Sequence, residues 1–541
     1  MRKRYISTRN KQGQTLEDVW VDKYAVSREG LMKVHEGPFS ALVSKDDDYV
    51  YAVDSDGKTI AEGEAGVDDA SVIQQALDSL TVGRTWKEKV LVMCECEISS
   101  EITVPSKAIL SGGCYKLKAG GRVVFSEDVK LEDFVFENAI LYCANADRIP
   151  ISIGGANPKR RIVIRNITIF DRSGESIWVG GDGGVHDSLL ENIWFINCER
   201  GVRSNHLTRS VIRNIYGYEC KREIVLTAGY AGETYYPHDC VIENVVLYNT
   251  TPIADLVSAG YNPMPVDITR TAKMIVRNIY GVNVTKGVNM EPVYTGDVDD
   301  ETLVENGYFE NVWRSAVYIT DARRCTVRRV YAKDVGLIND TDDAGIHGIL
   351  FNAYYSTLEL CKIENARGHG IALGSGRNQN IIRNNRIISP NYENAFTEGV
   401  GISLYSVENV LIEGNIIEDE VGYMTYAIRE YGTSNNNLIG DNIIRAGTIS
   451  WVGVNTVVKR NIGYLTENSG TATFSGDGTT TQFSIEHGLV STPSKIQVTA
   501  MSSDAAGDFY VTADATYIYV NYNTAPPSGI DNVKLSWSAE V

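Results

Sequence analysis

Short runs of alternating apolar and polar residues recur along most of this chain, and many are broken at the same point by an asparagine. The run Ile162-Val163-Ile164-Arg165-Asn166-Ile167-Thr168-Ile169 shows the unit. Its apolar residues fall on every second position, the period of a β-strand, and Asn sits between two short apolar stretches. Equivalent segments are Leu190-Glu191-Asn192-Ile193, Ile212-Arg213-Asn214-Ile215, Ile242-Glu243-Asn244-Val245, Val276-Arg277-Asn278-Ile279, Phe309-Glu310-Asn311-Val312 and Ile363-Glu364-Asn365-Ala366. Looser copies stand at Asn138, Arg329 (arginine in the asparagine place), Asn385, Asn415, Asn442 and Asn461. From Asn166 to Asn311 the intervals are 26, 22, 30, 34 and 33 residues. Units this short cannot bury a core alone, so each must stack on its neighbours.

A second strand pattern follows in many units, as at Gly370-Ile371-Ala372-Leu373, Gly401-Ile402-Ser403-Leu404 and Ala427-Ile428-Arg429-Glu430. Strand, turn, strand, turn at this period predicts an all-β parallel β-helix, its coils rising about 4.8 Å each. Asparagine suits the repeat because it tolerates the left-handed backbone of a sharp turn and can hydrogen-bond from coil to coil. Ahead of the repeat, Asp68-Asp69-Ala70-Ser71-Val72-Ile73-Gln74-Gln75-Ala76-Leu77-Asp78 reads as an amphipathic helix, followed by the apolar strand Lys89-Val90-Leu91-Val92-Met93. The Asn-Ile turns, the Gly-Ile-x-Leu strands and this entry segment resemble the pectate-lyase-like superfamily of right-handed parallel β-helices, including phage and archaeal-virus tailspike-type proteins that act on polysaccharides. That resemblance covers residues 67–465 and implies that the helix caps the first coil.

Residues 1–66 lack the repeat and read as an attachment or capping region, with a small hairpin turning at Asp56-Gly57. Residues 466–541 change to short strands separated by Gly, Asp and Pro turns, the pattern of a small β-sandwich. This segment resembles carboxy-terminal modules of viral fibre-like proteins, which implies trimerisation or glycan binding and hence a homotrimer.

Composition narrows the partners. The formal charge is 51 − 69 = −18, which argues against nucleic acid. Thirty Tyr against 12 Phe suit either a sugar-binding groove or ordinary strands. Several of the nine Cys fall inside strand patterns, as small core residues do; no disulfide framework and no zinc spacing is read. No apolar run long enough to span a membrane follows the start Met1-Arg2-Lys3-Arg4. With no signal peptide visible, an extracellular or virion-surface protein released by lysis is expected.

The chemistry is expected where the repeat is stretched, between Asn214 and Asn365. Taking Val202, Ile224, Ile268, Val317, Ile349, Ile371, Ile402 and Ile428 as inward, the outward neighbours of the second strand include Arg203, Glu223, Asp267, Tyr318, Ser403 and Arg429. In that register Glu223 and Asp267 lie about 5 Å apart at the backbone on adjacent coils. Two such carboxylates can serve as acid and base or nucleophile in glycoside hydrolysis, with Arg203 neutralising a uronate. They can equally form part of a calcium site or a solvated charge ladder. No cofactor is required; calcium is a candidate ligand. Acidic loops bearing Asp297, Asp299, Asp300, Asp321, Asp340, Asp342 and Asp343, with Tyr235, Tyr236, His238 and Tyr294, form a second candidate set for sugar contacts. Tyr318, Asp321 and Asp343 join it as substrate-binding candidates.

Arg367-Gly368-His369-Gly370-Ile371 resembles the Gly-His-Gly motif of polygalacturonase-type hydrolases. The Arg-Ile-Lys those enzymes carry on a following coil is replaced here by Gly401-Ile402-Ser403-Leu404, and His347-Gly348-Ile349 repeats the pattern, so the motif reads as part of the generic coil. The expected function is cleavage of an extended polysaccharide by hydrolysis or elimination; the alternative is a non-catalytic glycan-binding or structural fibre protein.

Overall fold

The computed structural model describes residues 39–125, 131–228, 236–291, 301–337, 346–394 and 398–541. The chain divides into two compact units between Gly281 and Val282.

In the first unit the strands Ala41–Lys45, Tyr49–Asp54 and Thr59–Glu64 pair antiparallel, and the first also runs parallel to Glu88–Ile98 of the opening coil. The helix Asp69–Asp78 lies where the sequence places it and buries Ala70, Val72, Ile73, Ala76 and Leu77. Asp69, fully buried, is held by the Gly66 and Glu97 amides and by Lys45 Nζ at 2.7–2.9 Å.

Each following coil repeats one plan. A short strand such as Ile177–Val179 leads through a turn to a longer one, Leu189–Ile196, bent at its middle, and a second turn returns the chain to Val202–Ser204. Neighbouring coils pair in parallel and in register: Ile164 faces Leu190, and Ile167 faces Ile193. Ile164, Ile167, Leu190, Ile193, Ile212 and Ile215 point inward and are fully buried. The bend is the repeat Asn. Asn138, Asn166, Asn192, Asn214, Asn244 and Asn278 all have φ between 55° and 59°. Each later Asn donates from Nδ2 to Oδ1 of the one before at 2.8–3.0 Å. The residue before the Asn alternates in sign, so Arg165 pairs with Glu137, Arg213 with Glu191 and Arg277 with Glu243 at 2.7–2.9 Å.

The outward side of this bent sheet holds part of the tyrosine excess. Trp194 stacks on Tyr216, Tyr142 on Phe170 and Tyr218 on Tyr248, with ring planes within 17° of parallel. Rings that cover one another present edges to solvent, which favours the ordinary-strand explanation over a sugar platform along this face.

In the second unit, as in the first (Asn166 and Asp171, Asn192 and Asn197, Asn214 and Glu219), the left-handed positions form two columns. Asn306 and Arg329 occupy one left-handed column, while Asn311, Asp334 and Asn365 form another, five residues further along the strand. Beyond it, Asn385, Asn415, Asn442 and Asn461 are not left-handed at all; the residue before each (Asn384, Gly414, Asp441, Arg460) is. These asparagines point inward and are at most 1% exposed. The Oδ1 atoms of Asn415, Asn442 and Asn461 each accept both the backbone and side-chain N–H of the preceding Asn at 2.9–3.1 Å.

Arg329 carries a left-handed backbone (φ 55°) without asparagine's tolerance of it. Arg329→Asn is expected to stabilise the protein by about 1 kcal/mol, read as a higher urea midpoint. A lower midpoint would mean that its 3.9 Å pairing with Glu305 outweighs the backbone.

Residues 467–540 form two three-stranded antiparallel sheets. They share a core of Phe483, Ile485, Ile518, Val520, Leu535 and Trp537. All nine cysteines are free, and seven are buried. Burial pushes the Cys240 and Cys361 thiols up to about 12, the range of inert packing residues.

Candidate functional site

In the first unit the short strands Ile151–Ile153, Ile177–Val179, Val202–Ser204, Glu223–Ala228 and Met264–Thr269 stack as a second parallel sheet. Its inward column is Ile177, Val202, Val225 and Val266; its outward column is Ser152, Trp178, Arg203, Leu226 and Asp267. Arg203 and Asp267 therefore share a line, as expected, two coils or about 10 Å apart.

Glu223 does not join them. It pairs in register with Met264, three residues or about 10 Å along the strand from Asp267. The expected 5 Å juxtaposition is thus corrected. The inward residue of that coil is Val225, not Ile224 as the expected register had it, and Glu223 falls at the corner where the turn enters the sheet. There it is 8% exposed and bound by Arg200 Nε at 3.0 Å.

The same corner holds Glu175, whose Oε1 accepts Arg203 Nη1 at 2.6 Å and lies 3.5 Å from Arg200 Nη1. Burial works against ionising Glu175, but its own backbone N–H together with Arg203 and Arg200 outweighs it and holds the carboxyl below its usual range. Arg203 is thereby fixed in place as a cation on the outward face. Asp267 accepts the Thr269 hydroxyl at 3.0 Å. Trp178, one coil before Arg203, lies across Gly154, where any Cβ would collide with the ring.

Tyr236 and His238 sit elsewhere on the coil. His238 bridges to Thr208 and Ala272 in the turn leading to the Asn-bearing sheet, pairs with Asp239 at 2.8 Å, and meets the Tyr236 ring edge-on at 5.7 Å. Tyr235, Tyr294 and Asp343 lie outside the described residues, as do Asp297, Asp299, Asp300, Asp340 and Asp342. Among the described residues no group of three or more His, Cys, Asp or Glu is placed to hold a metal ion.

In the second unit the expected register holds from Val317 through Ile349, Ile371 and Ile402 to Ile428. The outward column is Asn289, Tyr318, Leu350, Ala372, Ser403, Arg429 and Ser450. Lys286 Nζ stands 3.7 Å over the Tyr318 ring, donates to Asn289 Oδ1 at 2.9 Å and pairs with Glu291. Burial and then Glu291 push the Tyr318 hydroxyl above its usual range. Asp321 (φ 58°) is the extra residue of a bulge between Thr320 and Ala322, and it pairs with Arg377, which also donates to Tyr354 Oη at 2.8 Å. Arg429 pairs with Glu398 and contacts the Tyr426 and Tyr431 rings at 4.2 and 4.3 Å. Reading by sequence missed Glu175, Trp178, Lys286, Asn289 and Glu398. Only Trp178 left a signal, as the polar-face position of Ile177-Trp178-Val179.

His369, of the Gly-His-Gly stretch, stacks on His347 with ring centroids 4.9 Å apart, and its Nδ1 is closed off from solvent. Burial, then His347 and Arg429, hold its pKa well below the usual imidazole value. Protonation therefore favours the unfolded chain, whose histidine titrates near ~6.5. Stability is fully present above that pH and falls as pH drops below it. His369→Gln is expected to flatten the fall in melting temperature between about pH 7 and 5; an unchanged slope would assign that loss to other groups.

The sequence matches the family described as a right-handed beta helix region over residues 239–444 and 299–485. Among solved structures, a tailspike protein mutant of E. coli bacteriophage HK620 is 13% identical with a TM-score of 0.53, covering 90% of this chain and 92% of its own. The chain is a right-handed parallel β-helix protein. A second HK620 tailspike mutant, in complex with a pentasaccharide, gives the same identity and coverage with a TM-score of 0.50. The A-module of an Azotobacter vinelandii mannuronan C-5 epimerase is 15% identical and covers 73% of this β-helix chain and 97% of its own, but its TM-score of 0.40 carries no argument. At such identities the likeness is one of fold. No curated protein matches the chain.

Proposed function

We propose that this β-helix protein binds and cleaves an extended polysaccharide laid along the outward face of the second sheet of its first unit. The observation that carries this is the column Ser152, Trp178, Arg203 and Asp267, broken only by Leu226. Beyond the buried Ser152 it offers an aromatic ring, a fixed cation and a carboxylate on a straight line. A coil rise of about 4.8 Å is close to the span of one pyranose ring in an extended chain, so successive coils can meet successive sugars. Trp178 supplies a stacking surface. Arg203, oriented by Glu175, supplies a charge-assisted donor for a uronate or hydroxyl. Asp267 is the candidate general acid or base. Glu223, tied to Arg200, supports this corner rather than the reacting bond. Tyr236, His238, Tyr318 and Asp321 stay candidates for sugar contacts at their own positions. Among the described residues no helix is long and apolar enough to cross a membrane. A homotrimer on a virion surface or outside the cell accords with this function; sedimentation mass tests the trimer.

The experiment is a panel of neutral and uronate-bearing polysaccharides assayed for new reducing ends and for ultraviolet absorbance. Reducing ends alone indicate hydrolysis, and added absorbance indicates elimination at a uronate. One observation favours a second, non-catalytic reading: Glu175 and Glu223 are both neutralised by arginines. Binding without either product would establish it.

A further inference from the structure

The carboxy-terminal pair of sheets has two outer faces of different chemistry. The strands Gln482–Glu486, Phe509–Ala513 and Tyr517–Tyr522 form one sheet. Alternation sends Phe483, Ile485, Ile518, Val520 and Tyr522 into the core and their neighbours outward. The register sets Tyr510, Asn521 and Gln482 in one row, Thr512, Tyr519 and Ser484 in the next, and Tyr517 and Glu486 in the third. The opposite sheet's outer face carries Thr471, Thr473, Gln497, Thr499, Ser536 and Ser538 at the same kind of position, with no aromatic ring.

We infer that the outer face bearing Tyr510, Tyr519 and Tyr517 is a second carbohydrate-binding surface, for neutral hexose or N-acetylhexosamine oligosaccharides. The inference goes beyond the solenoid proposal and does not rest on it. The three tyrosines run diagonally across two strands for about 14 Å, the reach of two or three sugar rings. Tyr510 is 60% exposed and Tyr517 38%. Tyr517 and Tyr519 are tilted by 49° with centroids 6.2 Å apart, so they do not cover each other as the solenoid rings do. Tyr519 and the amides beside the rings are held by hydrogen bonds. Tyr519 Oη donates to Asp514 at 2.7 Å, Gln482 Nε2 to Asn521 Oδ1 at 2.8 Å, and Asn521 Nδ2 to Thr512 Oγ1 at 3.3 Å.

Planar amides beside exposed aromatic rings are the groups that read sugar hydroxyls and cover sugar faces. The face carries no Lys or Arg, and Glu486 and Asp514 lie on it, so an anionic glycan is repelled. A second copy laid face to face would bring these carboxylates together.

The test presents the full-length protein to an array of neutral hexose, N-acetylhexosamine and uronate oligosaccharides, then titrates the best neutral ligand by calorimetry. Tyr510→Ala combined with Tyr519→Ala should weaken that binding about tenfold or more, with circular dichroism unchanged. Trp178→Ala, which removes the solenoid's stacking surface, should leave it intact, which separates this site from the solenoid. Tyr510→Ala alone, at a position 60% exposed, should weaken it in the same direction without risk to folding. Binding of no neutral oligosaccharide, or unchanged binding by the double variant, would overturn the inference. So would a changed sedimentation mass in that variant, which would make the face a contact between copies.

Discussion

Asp267→Asn is expected to lower polysaccharide cleavage by a factor of about 10²–10⁴, the usual contribution of a positioned general acid or base, while leaving polysaccharide binding within a few fold. Asn keeps the volume and can still accept the Thr269 hydroxyl bond, so the local fold has no reason to change. Arg203→Ala should act differently. It removes a cation that Glu175 holds at 2.6 Å, so it should weaken binding of uronate-bearing chains more than neutral ones and leave Glu175 without its closest partner. Glu223→Gln should cost far less activity, because Glu223 lies three residues along the strand from the column. The checks are steady-state rates and direct binding for the three variants on one substrate. Equal loss in Glu223→Gln and Asp267→Asn would return Glu223 to the reaction.

Asn415→Ala should be among the most destabilising single changes in the second unit, by about 3–4 kcal/mol. Asn415 is fully buried. Its Oδ1 accepts the backbone and side-chain N–H of Asn385, both at 3.0 Å. Its Nδ2 donates to the Ile382 carbonyl and to Asn442 Oδ1, also at 3.0 Å. Alanine strands these groups away from water, where each unpaired one is costly. Asn192→Ala, at a half-buried bend on the first unit, should cost about 1 kcal/mol, because solvent can replace its partners. The comparison is of urea midpoints. Equal losses would show that the inner asparagine ladder gains little from burial.

The fold could be read from the chain because its two periodic demands are local. Alternation marks the strands, and a left-handed bend calls for Asn at positions 138, 166, 192, 214, 244 and 278. Sequence could not separate this column from the inner asparagines at 385, 415, 442 and 461, since the same amide serves an exposed bend in one and a buried hydrogen-bond ladder in the other. The register of the second sheet was readable wherever a small residue precedes the inward one. At Gly348, Gly370 and Gly401 a Cβ would run into a carbonyl of the next coil, and the Gly-Ile pair then sets the phase. At Ile224-Val225 both residues are apolar and buried, so either can be taken as inward. That one-residue ambiguity moved Glu223 onto the outward face and hid Glu175 and Arg200. Contacts such as Lys286 over Tyr318 join residues on different coils through turns of irregular length, which no local pattern encodes.

The most direct test of the account is a crystal structure of Asp267→Asn with an oligosaccharide released from the polysaccharide that the wild type cleaves. Sugar rings lying along the second sheet, one over Trp178 and one within hydrogen-bond reach of Arg203, are the predicted result. An oligosaccharide seated on the Asn-bearing sheet, or held with Trp178 and Arg203 untouched, would contradict it.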